Sequence, residues 1–122
     1  MLTERRLRRS DDTLEALALQ LEATAERAAC TALVLTQRDG LPLAEVGEDA
    51  ASEEIAAFAP TLVRNGRLWH GAIPTTAGER LVTVAPLPTG DGTLYLCAVG
   101  GLVCVLGPEL ALGGRGVARI LA

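Results

Sequence analysis

The 122-residue chain contains no lysine, and its aromatic content is only 2%: one Phe, one Trp and one Tyr. Without lysine there is no phosphate-gripping Gly-x-x-x-x-Gly-Lys-Ser/Thr loop, so the chain is not itself a P-loop GTPase or ATPase. A chain so poor in aromatics lacks the stacking platforms that single-stranded nucleic-acid binders use. The deep cleft that paired-carboxylate glycoside chemistry needs also loses its usual lining. Histidine is represented by His70 alone, and Ser10 and Ser52 are the only serines. Each serine reads better as a helix cap or a surface residue than as the nucleophile of a triad. Long apolar runs are missing too. The longest, Leu94 to Gly107, carries three glycines and falls short of the ~20 residues that span a bilayer. The charged start Met-Leu-Thr-Glu-Arg-Arg leads into no apolar run of the signal-peptide kind. The expectation is a cytoplasmic protein without a membrane span.

What is present is a chain that is 49% hydrophobic, long enough for one domain whose core is filled by Ala, Leu and Val. The net charge is −4 and every cation is an arginine, which argues against general nucleic-acid binding, since that requires a basic face. The one basic cluster, Arg5, Arg6, Arg8 and Arg9, reads as an anchor for an anionic surface or as a solvated segment. The flanking Glu4, Asp11 and Asp12 favour the second. Cys30, Cys97 and Cys104 are odd in number and lack paired spacing, as reduced core residues do. Together with His70 they show no ligand spacing such as Cys-x-x-Cys, and no metal or other cofactor is expected. Glu45, Glu48, Asp49, Glu53 and Glu54 form the densest charge cluster, read as a solvated loop with helix-dipole stabilisation or as an acidic patch for a basic partner. Gly113-Gly114-Arg115-Gly116 reads as an anion-binding nest or a flexible, broken helix, and the second is favoured because no strand-turn-helix context supports the nest.

Periodicity places a first helix from about Asp12 to Ala29, with Leu14, Leu17, Ala18, Leu21, Ala25 and Ala28 on one face and Asp12 with Glu15 as a capping box. Strands are predicted over Thr31–Gln37 and Leu41–Val46, joined by Asp39-Gly40, a strong hairpin signal because glycine accepts positive φ. Pro42 cannot donate to a ladder, which marks the second strand as an edge. A second helix opens at Ser52, read as its cap, and runs to Arg64 with Asn65-Gly66 as its stop. Pro60 predicts a kink or split near Ala56. Three more strands are predicted over Arg67–Ile73, Arg80–Leu87 and Thr93–Val99. Leu102–Leu106 is ambiguous, and a final helix is predicted from Pro108 to Leu121, weakened by its glycines. The order α-β-β-α-β-β-β-α implies an α+β fold with a mainly antiparallel sheet and helices on its faces.

The order of elements, the hairpin from Leu33 to Ala44 with its Asp39-Gly40-Leu41-Pro42 corner, and the acidic start of the second helix resemble the roadblock/dynein light chain domain. The prokaryotic, MglB-like branch of that family is the closer match. The resemblance covers about Asp12 to Val99 and weakens from Gly100 onward. It divides the chain into a basic N-terminal segment, 1–11, and a single roadblock-like domain, 12–122. It implies an α/β sandwich with a five-stranded sheet ordered 2-1-5-4-3. It also implies a homodimer formed by the third strand, Gly66 to Ile73, and the second helix. The interface residues so implied are Ile55, Phe58, Leu62, Leu68, Trp69 and Ile73; Trp69 is read equally well as filling the monomer core. The function implied is that of a non-catalytic adaptor that binds a small Ras-like GTPase and acts as a GTPase-activating partner. Arg38, Arg64 and Arg67 are its candidate partner-binding residues, with ordinary surface cations as the plainer and favoured reading. A purely structural homodimeric scaffold is the rival, and a small-ligand sensor with a pocket between sheet and helix is a third.

Overall fold

In the computed structural model, residues 4–47, 49–90, 92–101 and 103–122 are described, along with their side chains except those of residues 4–11, 103 and 104. The calls on Glu48, on the side chains of Arg5, Arg6, Arg8, Arg9, Ser10 and Cys104, and on Leu102 lie outside these described residues. The elements are α1 (Glu4–Ala28), β1 (Cys30–Thr36), β2 (Pro42–Gly47), α2 (Ser52–Leu62), β3 (Trp69–Thr75), β4 (Gly78–Thr89), β5 (Gly92–Gly100) and α3 (Val103–Leu121). The five strands form one sheet ordered β2-β1-β5-β4-β3, and every pairing is antiparallel. This is the order the resemblance implied. Pro42 lies on the edge strand β2, where its missing donor is harmless.

Two faces of the sheet bury two different kinds of side chain. On one face Ala32, Val34, Val82, Val84, Cys97 and Val99 pack against Ile55, Ala56 and Ala59 of α2 and Ala51 just before it. On the other, Leu33, Leu35, Leu96 and Ala98 pack against Leu17, Leu21 and Ala28 of α1 and Leu106, Leu110 and Val117 of α3. The alternation follows from the two-residue period of a strand. Small residues let α2 approach closely, and leucines fill the wider gap beneath the helix pair.

The hairpin between β1 and β2 forms as expected. The Gly40 N–H donates to Gln37 O at 2.9 Å, and the Leu41 N–H donates to the Asp39 carboxylate at 3.0 Å. Gly40 takes φ +86, and a Cβ there would lie 3.1 Å from the α2 backbone at Ala57.

Several expected boundaries are corrected. Helix α1 starts at Glu4 rather than Asp12, so the proposed capping box is interior; glutamate and arginine are good helix formers and carry the periodicity outward. Ser52 does not cap α2: no side-chain cap bond is made at its start. Instead the Asp49 carboxylate, farther upstream, accepts the Ala51 N–H at 2.8 Å. Pro60 does not split α2, which runs as one element from Ser52 to Leu62. Asn65-Gly66 is not its cap but a separate tight turn with φ of +59 and +66, closed by the Arg67 N–H donating to Arg64 O at 3.3 Å.

Helix α3 begins at Val103, so Pro108 is interior. Burial of Leu106, which is 2% exposed, outweighs the hydrogen bond that the proline removes.

The glycines of α3 neither break it nor form a nest. A Cβ at Gly113 would sit 2.5 Å from Thr24 Oγ1, and one at Gly116 would sit 2.3 Å from Gln20 Cδ. These glycines are where α1 and α3 touch, beside the Arg27–Glu109 ion pair at 2.6 Å. Thr24 is buried and donates to Gln20 O at 2.9 Å, so it has no room to retreat. Gly113→Ala gains helix propensity yet is expected to lose about 1–3 kcal/mol net through overpacking. Thr24→Ala in the same chain removes the nearest atoms and recovers part of that loss. A double-mutant cycle in urea checks the coupling.

A candidate protein-binding surface along the second helix and third strand

Strand β3 pairs with β4 on one side only, so its outer edge presents unpaired backbone groups. Helix α2 lies over the same face of the sheet as Trp69 and Ile73. Within α2, Ile55, Ala56 and Ala59 are buried, which turns Glu54, Phe58 and Thr61 (spaced i, i+4, i+7) towards another side. That side is the β3 side: the Glu54 carboxylate accepts the Thr76 N–H at 3.1 Å and the Thr76 hydroxyl, in the turn after β3.

The six residues expected at an interface divide in two. Phe58 and Leu68 keep 44% and 46% of their surface exposed, whereas Ile55 and Ile73 keep 0% and 3% and belong to the single-chain core. Leu62 and Trp69 are partly buried and pack against that core. The Trp69 ring folds along its own strand, so that a Cβ on Gly71 would meet it at 2.8 Å. Trp69 therefore packs against the core and retains a solvent-facing part.

Of the three expected partner-binding arginines, the Asn65-Gly66 turn brings two together. Arg64 and Arg67 line an open depression of about 390 Å3 with Thr61, Leu62, Leu68 and Trp69. Arg38 stands apart on the β1–β2 turn with Gln37 and Asp39. All three arginines are exposed. Among the described residues the ion pairs are Arg27–Glu109 and Arg80–Asp49, and none of them involves Arg64, Arg67 or Arg38.

Residues searched for chemistry stay apart. Cys97 belongs to the cluster under α2 and Cys30 packs against the cluster under α1 and α3. His70 is exposed on β3, its Nδ1 2.7 Å from Thr83 Oγ1. No group of three or more metal-ligating side chains forms among the described residues. Burial pushes the Cys97 thiol up to about 12 and raises that of Cys30, the opposite of a reactive thiolate. No described helix is long and apolar enough to cross a membrane. An open groove of about 790 Å3 at the end of α3 is lined by Leu43, Leu94, Leu121 and neighbours. The Thr89 hydroxyl beside it is committed to Gly92 O at 2.6 Å, which leaves few polar groups to orient a small ligand.

From sequence Glu54 was read as part of a solvated, helix-dipole-stabilising cluster or of an acidic patch for a basic partner. Its placement beside Phe58 was readable from the i, i+4 spacing, but its bond to Thr76 depends on where β3 ends.

A sheet ordered β2-β1-β5-β4-β3, covered by one helix on one face and two on the other, is a roadblock-type α/β sandwich. The chain has the fold of the roadblock/LC7 domain proteins, MglB among them. It is similar to an MglB solved in a tetrameric arrangement, with a TM-score of 0.67 and 14% identity over 88% of this chain and 89% of that one. A roadblock/LC7 domain from Streptomyces avermitilis gives 0.62 and 23% identity over 85% and 96%. The gliding protein MglB from Thermus thermophilus gives 0.66 and 14% over 88% and 90%. No protein-family model and no curated protein matches the sequence.

The bonds from Thr76 lower the pKa of Glu54 below its ordinary 4.5. A lowered folded pKa means a contribution present at neutral pH and lost as pH falls through the folded value. Glu54→Gln is therefore expected to melt lower than the parent at pH 7, with the gap closing below pH ~4. Thermal unfolding at both pH values measures it.

Proposed function

We propose that this protein is a non-catalytic homodimeric adaptor of the cytoplasm that binds and regulates a small Ras-like GTPase. The observation that carries the reading is the roadblock/LC7 fold shared with MglB structures. The exposed edge of β3 beside Phe58 and Leu68 adds a physical reason for association, since an open strand edge flanked by apolar side chains favours strand addition. The tetrameric arrangement of one MglB is consistent with association as a working mode. In this reading the dimer reshapes the GTPase's own site by holding its switch loops, and Arg64 and Arg67, with Arg38 apart from them, act as surface cations rather than as a supplied catalytic arginine.

Sedimentation of the protein with a co-encoded Ras-like GTPase tests the partner. Binding to the form loaded with a GTP analogue, and not to the GDP form, is the expected result. A dimer that ignores both forms would leave the structural scaffold as the better reading. The interface has its own test. Phe58→Glu places a charge on the exposed side of α2 without touching the core, and is expected to shift the protein to monomer with its helical spectrum and melting temperature little changed.

A further inference from the structure

Where α3 ends, the sheet beneath it opens into the groove of about 790 Å3, with Leu43 of β2, Leu94 of β5 and Leu121 of α3 in its lining. The β1–β2 and β4–β5 turns close its sides. Strand alternation sets one polar residue among these leucines. Leu33 and Leu35 of β1 are fully buried under α1 and α3, and the next position of that row, two residues on, is Gln37. Leu35 pairs with Leu96 and Thr36 with Tyr95, so Gln37 comes beside Leu94. It is half-buried and lines the groove. Its backbone bonds to Leu41 O and to the Gly40 N–H, while its carboxamide makes no hydrogen bond among the described residues. Arg38 follows and shares a shallow depression with Gln37 and Asp39. The Arg38 Nη1 lies 3.8 Å from where a Cβ on Gly92 would sit, so the guanidinium leans over the β4–β5 turn at the rim of the groove. The Asp39 carboxylate is turned instead to the Leu41 N–H at 3.0 Å.

We propose that this groove binds a free medium-chain fatty acid as its carboxylate, the chain lying on Leu43, Leu94 and Leu121 and the carboxylate meeting the Gln37 carboxamide and the Arg38 guanidinium. The volume falls within the ~300–1,000 Å3 of small-molecule sites. With the Thr89 hydroxyl committed to Gly92 O, a ligand rich in polar groups finds too few partners. An alkyl chain needs none, and a single anionic end matches one amide donor and one guanidinium fork. The concave shape suits one chain rather than the face of a bilayer, and the net charge of −4 opposes an anionic membrane. The groove is lined from the two turns, their strands and α3 rather than from α2 or β3, so the ligand and a protein partner on the β3 side can be held together.

Calorimetric titration with hexanoate, octanoate and decanoate is the test. One molecule per chain is expected, with affinity rising about tenfold from each acid to the next, since each buried methylene contributes roughly fourfold. Decanol is expected to bind about tenfold more weakly than decanoate. Arg38→Gln, at an exposed position, is expected to bring decanoate down to the level of decanol and to leave decanol unchanged. Ala118→Phe fills the groove and is expected to abolish binding of both, with unchanged circular dichroism. No binding of decanoate at millimolar concentration overturns the proposal, as does equal binding of decanoate and decanol by the parent. Binding that survives Ala118→Phe in a folded protein overturns the placement. Co-sedimentation with phosphatidylglycerol vesicles, without binding of free decanoate, overturns the proposal in favour of a membrane surface.

Discussion

Strands β1 and β5 lie side by side at the centre of the sheet, with Ala32, Val34, Cys97 and Val99 buried on one face and Leu33, Leu35, Leu96 and Ala98 on the other. The remaining elements are placed by this double burial. A central strand covered on both faces needs a helix layer on each side, because an exposed row of leucines or valines would cost roughly 1.5–3 kcal/mol per side chain. The difference in size between the rows then sorts the helices. Alanine and valine admit a single close helix, α2, while leucines require the broader cover of α1 and α3.

The same arrangement leaves two strand edges open. With β1 and β5 central, β2 and β3 become the edges, and each is handled differently. Edge β2 carries Pro42 at its start and is screened by α1 on one face. Edge β3 has Pro74 near its end but leaves its beginning, Trp69 to Gly71, open beside Phe58 and Leu68. Glu54, hydrogen-bonded by Thr76, ties α2 to the β3–β4 turn.

The α1–α3 seam does the opposite task. Gly113 and Gly116 bring the helices together over Thr24 and Gln20, and the Arg27–Glu109 pair closes the end of the contact. Among the described residues Arg27 is paired at this seam, whereas Arg64 and Arg67, in the turn between α2 and β3, make no ion pair. The two helical layers thus divide the labour: one consolidates the chain, the other faces outward.

Local chemistry alone determined the order of the elements, the Asp39-Gly40 hairpin and the edge position of Pro42, because φ preferences and a missing donor act within a few residues of themselves. From these the sheet order followed by resemblance. Where distant groups compete, the sequence was misleading. Ser52 looked like a cap until Asp49 was positioned to do that work. Asn65-Gly66 looked like a helix stop but makes a turn that sets Arg64 beside Arg67. Pro108 looked like a helix start until the burial of Leu106 extended α3 past it. The glycines of α3 looked like a weakness because their value lies wholly in the space they leave for Thr24 and Gln20 of another helix. Ile55 and Ile73, which the resemblance implied at an interface, are buried in the core of the single chain. Periodicity reports which residues share a face; only the packed fold decided whether that face meets the sheet or the solvent, because burial is settled by what lies across the gap.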